Sequence, residues 1–226
     1  MNFCFDIDGP IIDVSDRYYR AYLESLKGYD INKDKVLSKE AFWILKQNRV
    51  SELEISLMVG LSLKEAKSSG DTRKDLNFKF ENLYFDKLFD DVIKTFDYLR
   101  SNYISYFVVT LRSRKELNFA IKQFKLNKYL DEDYIFPFDE DSKIQNDIQG
   151  KYSLIYNGMN KLALNSLDTW IIGDSDTDIH AGRLARCGKV IGITRGMRSK
   201  EQLQILQPDY IVNNLSEVLS LANTVH

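Results

Sequence analysis

Cysteine is scarce in this chain: Cys4 and Cys187 are its two copies among 226 residues, and they form no CxxC pair. They predict buried thiols in a reducing compartment. The two histidines, His180 and His226, form no cluster. No zinc site is therefore expected. Charge of one sign is not in excess either, because 31 basic residues nearly cancel 33 acidic ones. Without a basic footprint, nucleic acid is not an expected partner. No apolar run approaches the length needed to span a bilayer. The N-terminus lacks a basic n-region and a long h-region, so no cleaved signal is expected. These absences predict a cytoplasmic protein with no membrane or nucleic-acid partner. Internal repeats and low-complexity segments are also lacking.

The chain does have enough apolar residues, 44% hydrophobic and 12% aromatic, for one sizeable core or one core plus a small module. Asn2 to Phe5 read as a buried strand, ended by acids and Gly9-Pro10. From Val14 the pattern is helical, with Tyr18, Tyr19, Tyr22, Leu23 and Leu26 at helix spacing. Ser38 reads as an N-cap. Leu53 to Met58 form a further helix ended by Gly60. The helical theme continues through Leu76, Phe80 and Leu83. No strand is expected between Val14 and Phe85.

Past Phe89 the character changes. Val92 to Leu99 read as a helix, Ile104 to Thr110 as a strand, and Arg114 to Phe124 as a helix. Tyr134 to Phe136 read as a strand halted by Pro137. Asp139 to Gln149 read as an acidic loop, and Tyr152 to Leu164 as a helix. Thr169 to Ile172, Val190 to Ile193 and Tyr210 to Val212 read as strands. Helices follow the first and last of these, through Ile179 to Ala185 and from Leu215 to Leu221. Apolar strands alternating with helices imply an α/β fold, a Rossmann-like parallel sheet covered on both faces. The all-helical block looks inserted into it. The expected domains are 1–13 with 88–226 for the sheet core, and 14–87 for a helical cap.

In an open parallel sheet, ligands bind beyond the carboxyl ends of the strands. Asp6 and Asp8 end the first strand, Thr110 ends the second, and Asp174 ends the one beginning at Thr169. Asp176 and Asp178 follow closely. Converging carboxylates repel one another unless a cation joins them. Magnesium suits such oxygen ligands and keeps room for waters and phosphate. Asp6 and Asp8 alternate by two, which points both to one face. One could attack phosphorus while the other handles protons. Gly9 allows a sharp turn and a close backbone approach. The run from Asp174 to Asp178 is not a calcium loop, because Ile179 and Ala185 stand where that loop needs Gly and Glu.

These runs, Asp6-Ile7-Asp8-Gly9, Phe107-Val108-Val109-Thr110 and Ile171-Ile172-Gly173-Asp174-Ser175-Asp176-Thr177-Asp178, resemble the motifs of the haloacid-dehalogenase-like hydrolase superfamily. Val190 to Ser199 and Pro208 to Val212 are similar to its phosphoglycolate-phosphatase-like branch with a helical cap. The resemblance implies a magnesium-dependent phosphatase acting on a small phosphomonoester, phosphoglycolate-like or a sugar phosphate. Asp6 would be the nucleophile forming an aspartyl-phosphate. Asp8 would be the proton donor and acceptor, and Thr110 a phosphoryl hydrogen-bond donor. Magnesium would be held by Asp6, the Asp8 carbonyl and Asp174, with Asp178 completing or supporting the set. The third-motif lysine would be Lys151, with Lys161 and Lys143 as fallbacks. Gly9 and Arg112 would contact substrate. The helical block would act as a lid over the leaving group, in a monomer or homodimer.

Three positions depart from the family pattern. Pro10 stands where Thr is usual, Leu111-Arg112 where Asn follows the second motif, and Tyr152 where Pro follows the lysine. Two other readings are carried beside the phosphatase. One is a phosphomutase of the same branch, and the other a catalytically weak phospholigand-binding regulator. Taken singly, Arg17, Arg49, Arg73 and Arg112 read as surface arginines, Asp176 as an exposed helix-start acid, and His180 as a helix-surface residue.

Overall fold

The computed structural model describes residues 1–138 and 146–224. It divides into two compact units, Met1–Asp13 with Leu88–His226, and Val14–Lys87.

The first unit opens with β1 (Asn2–Asp6) and the short β2 (Ile12–Asp13). The helical unit follows with α1 (Ser15–Ser25), α2 (Lys39–Gln47), α3 (Glu52–Met58) and α4 (Leu63–Phe78). A 3-10 stretch, Phe80–Phe85, then precedes β3 (Lys87–Leu88). The sheet unit resumes with α5 (Val92–Ser101), β4 (Tyr106–Ser113), α6 (Arg114–Gln123) and β5 (Ile135–Phe138). It ends with α7 (Asp147–Lys161), β6 (Thr169–Gly173), α8 (Asp176–Leu184), β7 (Lys189–Ile193), α9 (Lys200–Leu206), β8 (Tyr210–Val212) and α10 (Leu215–Thr224).

Six strands form one sheet in the order β5-β4-β1-β6-β7-β8, and their pairings are parallel. The expected α/β parallel-sheet class is therefore the observed one. Period-two alternation divides β1 between the sheet's faces. Phe5 packs edge-on against Phe96 of α5 and Tyr106 of β4. Cys4 joins Phe107, Ile155, Met159, Ile171 and Ile179 in the core beneath α7 and α8. Asp6 has the parity of Cys4, so its carboxylate emerges on the side of these two helices.

The helical unit has its own core of Tyr22, Phe42, Ile55, Val59 and Ala66, with Tyr22 stacked on Phe42 at 4.8 Å between ring centres. Its helices α3 and α4 each start in a capping box, Ser51 with Glu54 and Ser62 with Glu65. Such caps contribute about 1 kcal/mol each.

Several boundaries differ from expectation for identifiable reasons. β5 continues through Pro137, which a sheet tolerates at its edge because one side needs no N–H. β4 runs past Thr110 to Ser113 through an irregularity. Thr110 is opposite Pro137 and Ser113 opposite Phe138, so Leu111 and Arg112 bulge out of register. α7 begins five residues earlier than its apolar pattern, because its first turn is polar and is started by Asn146, whose side chain accepts from Gln149 N–H. The acidic loop expected from Asp139 falls partly on residues 139–145, outside the described residues, as do Lys143 and His226.

Candidate active site

Three strand ends and two helix starts place the polar groups. β1 carries Asp6 to the sheet edge, and the chain turns at once. Ile11 and Ile12 N–H both donate to the Ile7 carbonyl, and Gly9 N–H donates to the Ile12 carbonyl. Gly9 sits at φ +89°, and a Cβ there would lie 2.2 Å from Asp174 Cγ. Both facts require glycine. β6 ends beside β1 and delivers Asp174. α8 then starts at once, and Asp178 folds back so that its Oδ2 accepts from Asp174 N–H, Ser175 N–H and Ser175 Oγ, at 3.2, 3.1 and 2.7 Å.

Lys151 projects from the second turn of α7. It lies inside that helix, whereas the helix expected from Tyr152 would have placed it just ahead. Its Nζ lies 2.6 Å from Asp6 Oδ1 and 3.0 Å from Asp178 Oδ1, and all three groups are buried. Asp6 Oδ1 also accepts from Ile7 N–H at 2.7 Å. The fallback Lys161 lies elsewhere, in an exposed pair with Asp133. Thr110 is buried, and its Oγ1 accepts from Arg112 N–H at 3.1 Å. That leaves the hydroxyl hydrogen to donate to another group.

Carboxylate oxygens of Asp6, Asp174 and Asp178 all lie within 4.8 Å of one another. Three buried acids thus face one ammonium. Burial, with the Asp178 charge, pushes the Asp6 carboxyl up to about 8 against the pull of Lys151. Burial and the neighbouring acids raise Asp174 well above the carboxylate range. For Lys151, burial works against the charge, but Asp178 and Asp6 outweigh it and hold the proton on. The pocket is short of positive charge, and its donors are hard oxygens. Both features fit a divalent cation such as magnesium. Asp178 has both oxygens engaged by Lys151 and the α8 start, so Asp6 and Asp174 are the better-placed ligands.

Asp8 is outside this cluster. Arg112 Nε and Nη2 both contact Asp8 Oδ1, at 2.8 and 2.6 Å. The surface reading of the arginines is overturned for three of the four. Arg112 is buried on Asp8, Arg17 on Asp86, and Arg73 on Glu52. Arg49 is exposed, and so is His180.

Sequence reasoning singled out Val190 to Ser199 by resemblance but gave the loop after β7 no part in the site. Met197 N–H donates to Asp174 Oδ2, and a Cβ on Gly196 would lie 1.9 Å from that oxygen. Arg198 pairs with Asp176 at 3.1 Å, so Asp176 is not a free helix-start acid. Arg195 pairs with Asp91 at 2.7 Å, donates to the Pro10 carbonyl, and lies 4.0 Å over the Phe89 ring. The run Thr194-Arg195-Gly196-Met197-Arg198, which has a glycine between two arginines directly after an apolar strand, was the available signal.

Known proteins share this frame. A family model described as haloacid dehalogenase-like hydrolase matches residues 3–192. The chain is 20% identical to a pyrophosphatase PpaX from Bacillus mycoides (strain KBAB4) over 98% of its own length and 96% of the relative's. A phosphoglycolate phosphatase from Pectobacterium atrosepticum is 31% identical over a shorter stretch, 30% of this chain and 28% of the relative. Among solved structures, a haloacid dehalogenase-like family hydrolase from Streptococcus pneumoniae superposes with a TM-score of 0.69, at 22% identity and 97% coverage of both chains.

Proposed function

The chain belongs to the haloacid dehalogenase-like hydrolases, and from that premise we propose that it hydrolyses a small phosphorylated metabolite through an aspartyl-phosphate on Asp6. The observation that carries this reading is the meeting of Asp6, Asp174 and Lys151 at one sheet edge. A nucleophile, a cation site and a fixed positive charge are what phosphoryl transfer asks of a protein.

In this reading Asp6 attacks phosphorus, and the bond to the leaving oxygen breaks. Asp8 supplies the proton that oxygen takes up. Asp8 then accepts a proton from water, which attacks the same phosphorus. The phosphorus–Asp6 bond breaks, freeing inorganic phosphate and restoring the carboxylate. Lys151 holds Asp6 in place and offsets charge on the phosphoryl oxygens. Thr110 donates its hydroxyl hydrogen to one of them. Magnesium, held by Asp6, Asp174 and the Asp8 carbonyl, would supply charge neutralisation at the transferring group. Asp178 keeps Lys151 and the start of α8 in position. The helical unit, residues 14–87, is the part we propose to act as a cap that selects the leaving group.

The test is hydrolysis of a generic aryl phosphate and a broad panel of small phosphate esters and pyrophosphate, with and without magnesium, beside Asp6→Asn. Magnesium-dependent turnover lost in Asp6→Asn supports the reading. Wild type indistinguishable from the variant on every compound would overturn it. A phosphomutase would instead show a bisphosphate requirement and a burst.

A further inference from the structure

We propose that Arg112 makes this enzyme selective for substrates carrying a second anionic group, a carboxylate or a further phosphate, close to the phosphoryl being removed. The inference rests on the role proposed above for Asp8.

Its origin is the irregularity in β4. Leu111 and Arg112 are the two residues without register partners on β5. Bulges re-aim side chains beside active sites. Here Leu111 packs against the core under α7, while Arg112 turns inward to Asp8. Its backbone is tied to Thr110 Oγ1, so the guanidinium starts two residues from one expected phosphoryl contact. It ends on the acid two residues after Asp6.

A guanidinium fork is best met by two oxygens in parallel. In this protein Nε and Nη2 both reach Asp8 Oδ1, at 2.8 and 2.6 Å. A buried guanidinium cannot be left without an anion, and Arg112 is 6% exposed. While Arg112 occupies that oxygen, the oxygen is closed to a leaving group or a water. A substrate carboxylate or phosphate offers the fork two oxygens and replaces the Asp8 charge. Asp8 Oδ1 is then released for the reaction. A neutral tail offers no replacement, so the pair stays closed. The selectivity is therefore partly repulsive in design, because the wrong substrate meets an acid still held by Arg112.

The experiment uses two matched pairs, phosphoglycolate against ethyl phosphate and pyrophosphate against methyl phosphate. Wild type, Arg112→Gln and Arg112→Lys are compared by kcat/KM. Wild type should favour the anionic member of at least one pair by about tenfold or more. The pair that shows it separates carboxylate from phosphate as the recognised group. Arg112→Gln should bring that ratio to within about threefold of the ratio for unassisted hydrolysis, losing rate on the anionic member and gaining it on the neutral one. Arg112→Lys should fall between, because it restores charge without the fork. Equal wild-type rates within both pairs, or a ratio unchanged in Arg112→Gln, would overturn the inference while leaving aryl-phosphate hydrolysis intact. Failure of the proposed function reads differently, as no difference between wild type and Asp6→Asn on any compound. If Arg112→Gln does not fold, Arg112→Lys and the wild-type ratios still test the inference, because equal wild-type rates or a ratio unchanged in Arg112→Lys would overturn it.

Discussion

Lys151 Nζ stands 2.6 Å from Asp6 Oδ1, with both groups buried at the end of β1. The ammonium also touches Asp178, so one cation serves two acids. Lys151→Met should therefore lower aryl-phosphate turnover by about a hundredfold or more, with the fold retained. Its melting temperature should drop in the metal-free protein and recover partly with magnesium. Circular dichroism melts beside kinetics check this, and near-normal turnover would remove Lys151 from the reaction.

Asp174 has burial and repulsion from Asp178 and Asp6 against it, offset in part by Met197 N–H and the Lys151 charge. Asp174→Asn removes the charge and keeps an oxygen for Met197 N–H. The metal-free variant should melt about 2 °C or more above wild type. Added magnesium should raise the melting temperature of wild type but not of the variant. A variant that magnesium still stabilises would argue against Asp174 as a ligand.

Gly196 leaves no room for a side chain beside Asp174 Oδ2. Gly196→Ala must push either the carboxylate or the loop away. The magnesium concentration for half-maximal activity should rise about tenfold, as for other residues that orient a ligand. A magnesium titration of phosphate release measures it, and an unchanged midpoint would contradict the placement of this loop.

Burial pushes the Cys187 thiol up to about 12 and raises Cys4 well above the usual thiol range, where Cys187 and then the neighbouring acids add to the effect. The thiolate is the reactive form. Raised values keep both as thiols at pH 8, and reactivity should grow only as pH climbs toward 12. The native protein should thus react slowly with a disulfide reagent at pH 8, and two thiols should appear quickly on denaturation.

Arg73 is fully buried in the helical unit between Glu52, Ser56 and the Tyr22 ring. Arg73→Met leaves Glu52 its contact with Lys46 but strands the buried hydroxyls. It should destabilise this unit by about 3 kcal/mol. Chemical denaturation followed by tryptophan fluorescence at Trp43 would read the loss locally.

Much of the sheet was readable because its strands are short apolar runs bounded by acids, glycine or polar turns. Asp6 and Asp174 stand out for that reason, each being the first charge after such a run. Lys151 was harder, because the first turn of α7 is polar and gives no apolar period to locate it. Helix α9 was not read at all. It is short, and Ser199 accepting from Gln202 N–H is a faint signal by itself. The burial of Arg17, Arg73 and Arg112 was invisible for a different reason. Each is neutralised by an acid distant in sequence, and pattern alone does not reveal such a partner. The β4 bulge is likewise a property of two strands together.

Phe89 N–H donates to the Ile11 carbonyl at 3.2 Å, and Arg195 grips Pro10, Phe89 and Asp91 together. The outgoing and returning chain are thus stapled at a narrow neck that belongs wholly to the sheet unit. In engineering terms, residues 14–87 are a cassette. Their excision would leave two ends already side by side, joinable by a short glycine-rich bridge. A different helical insert could be spliced at the same neck without disturbing the strand that carries Asp6. On the cap role proposed above, chains built this way would exchange substrate range while keeping Asp6, Asp174 and Lys151 in place.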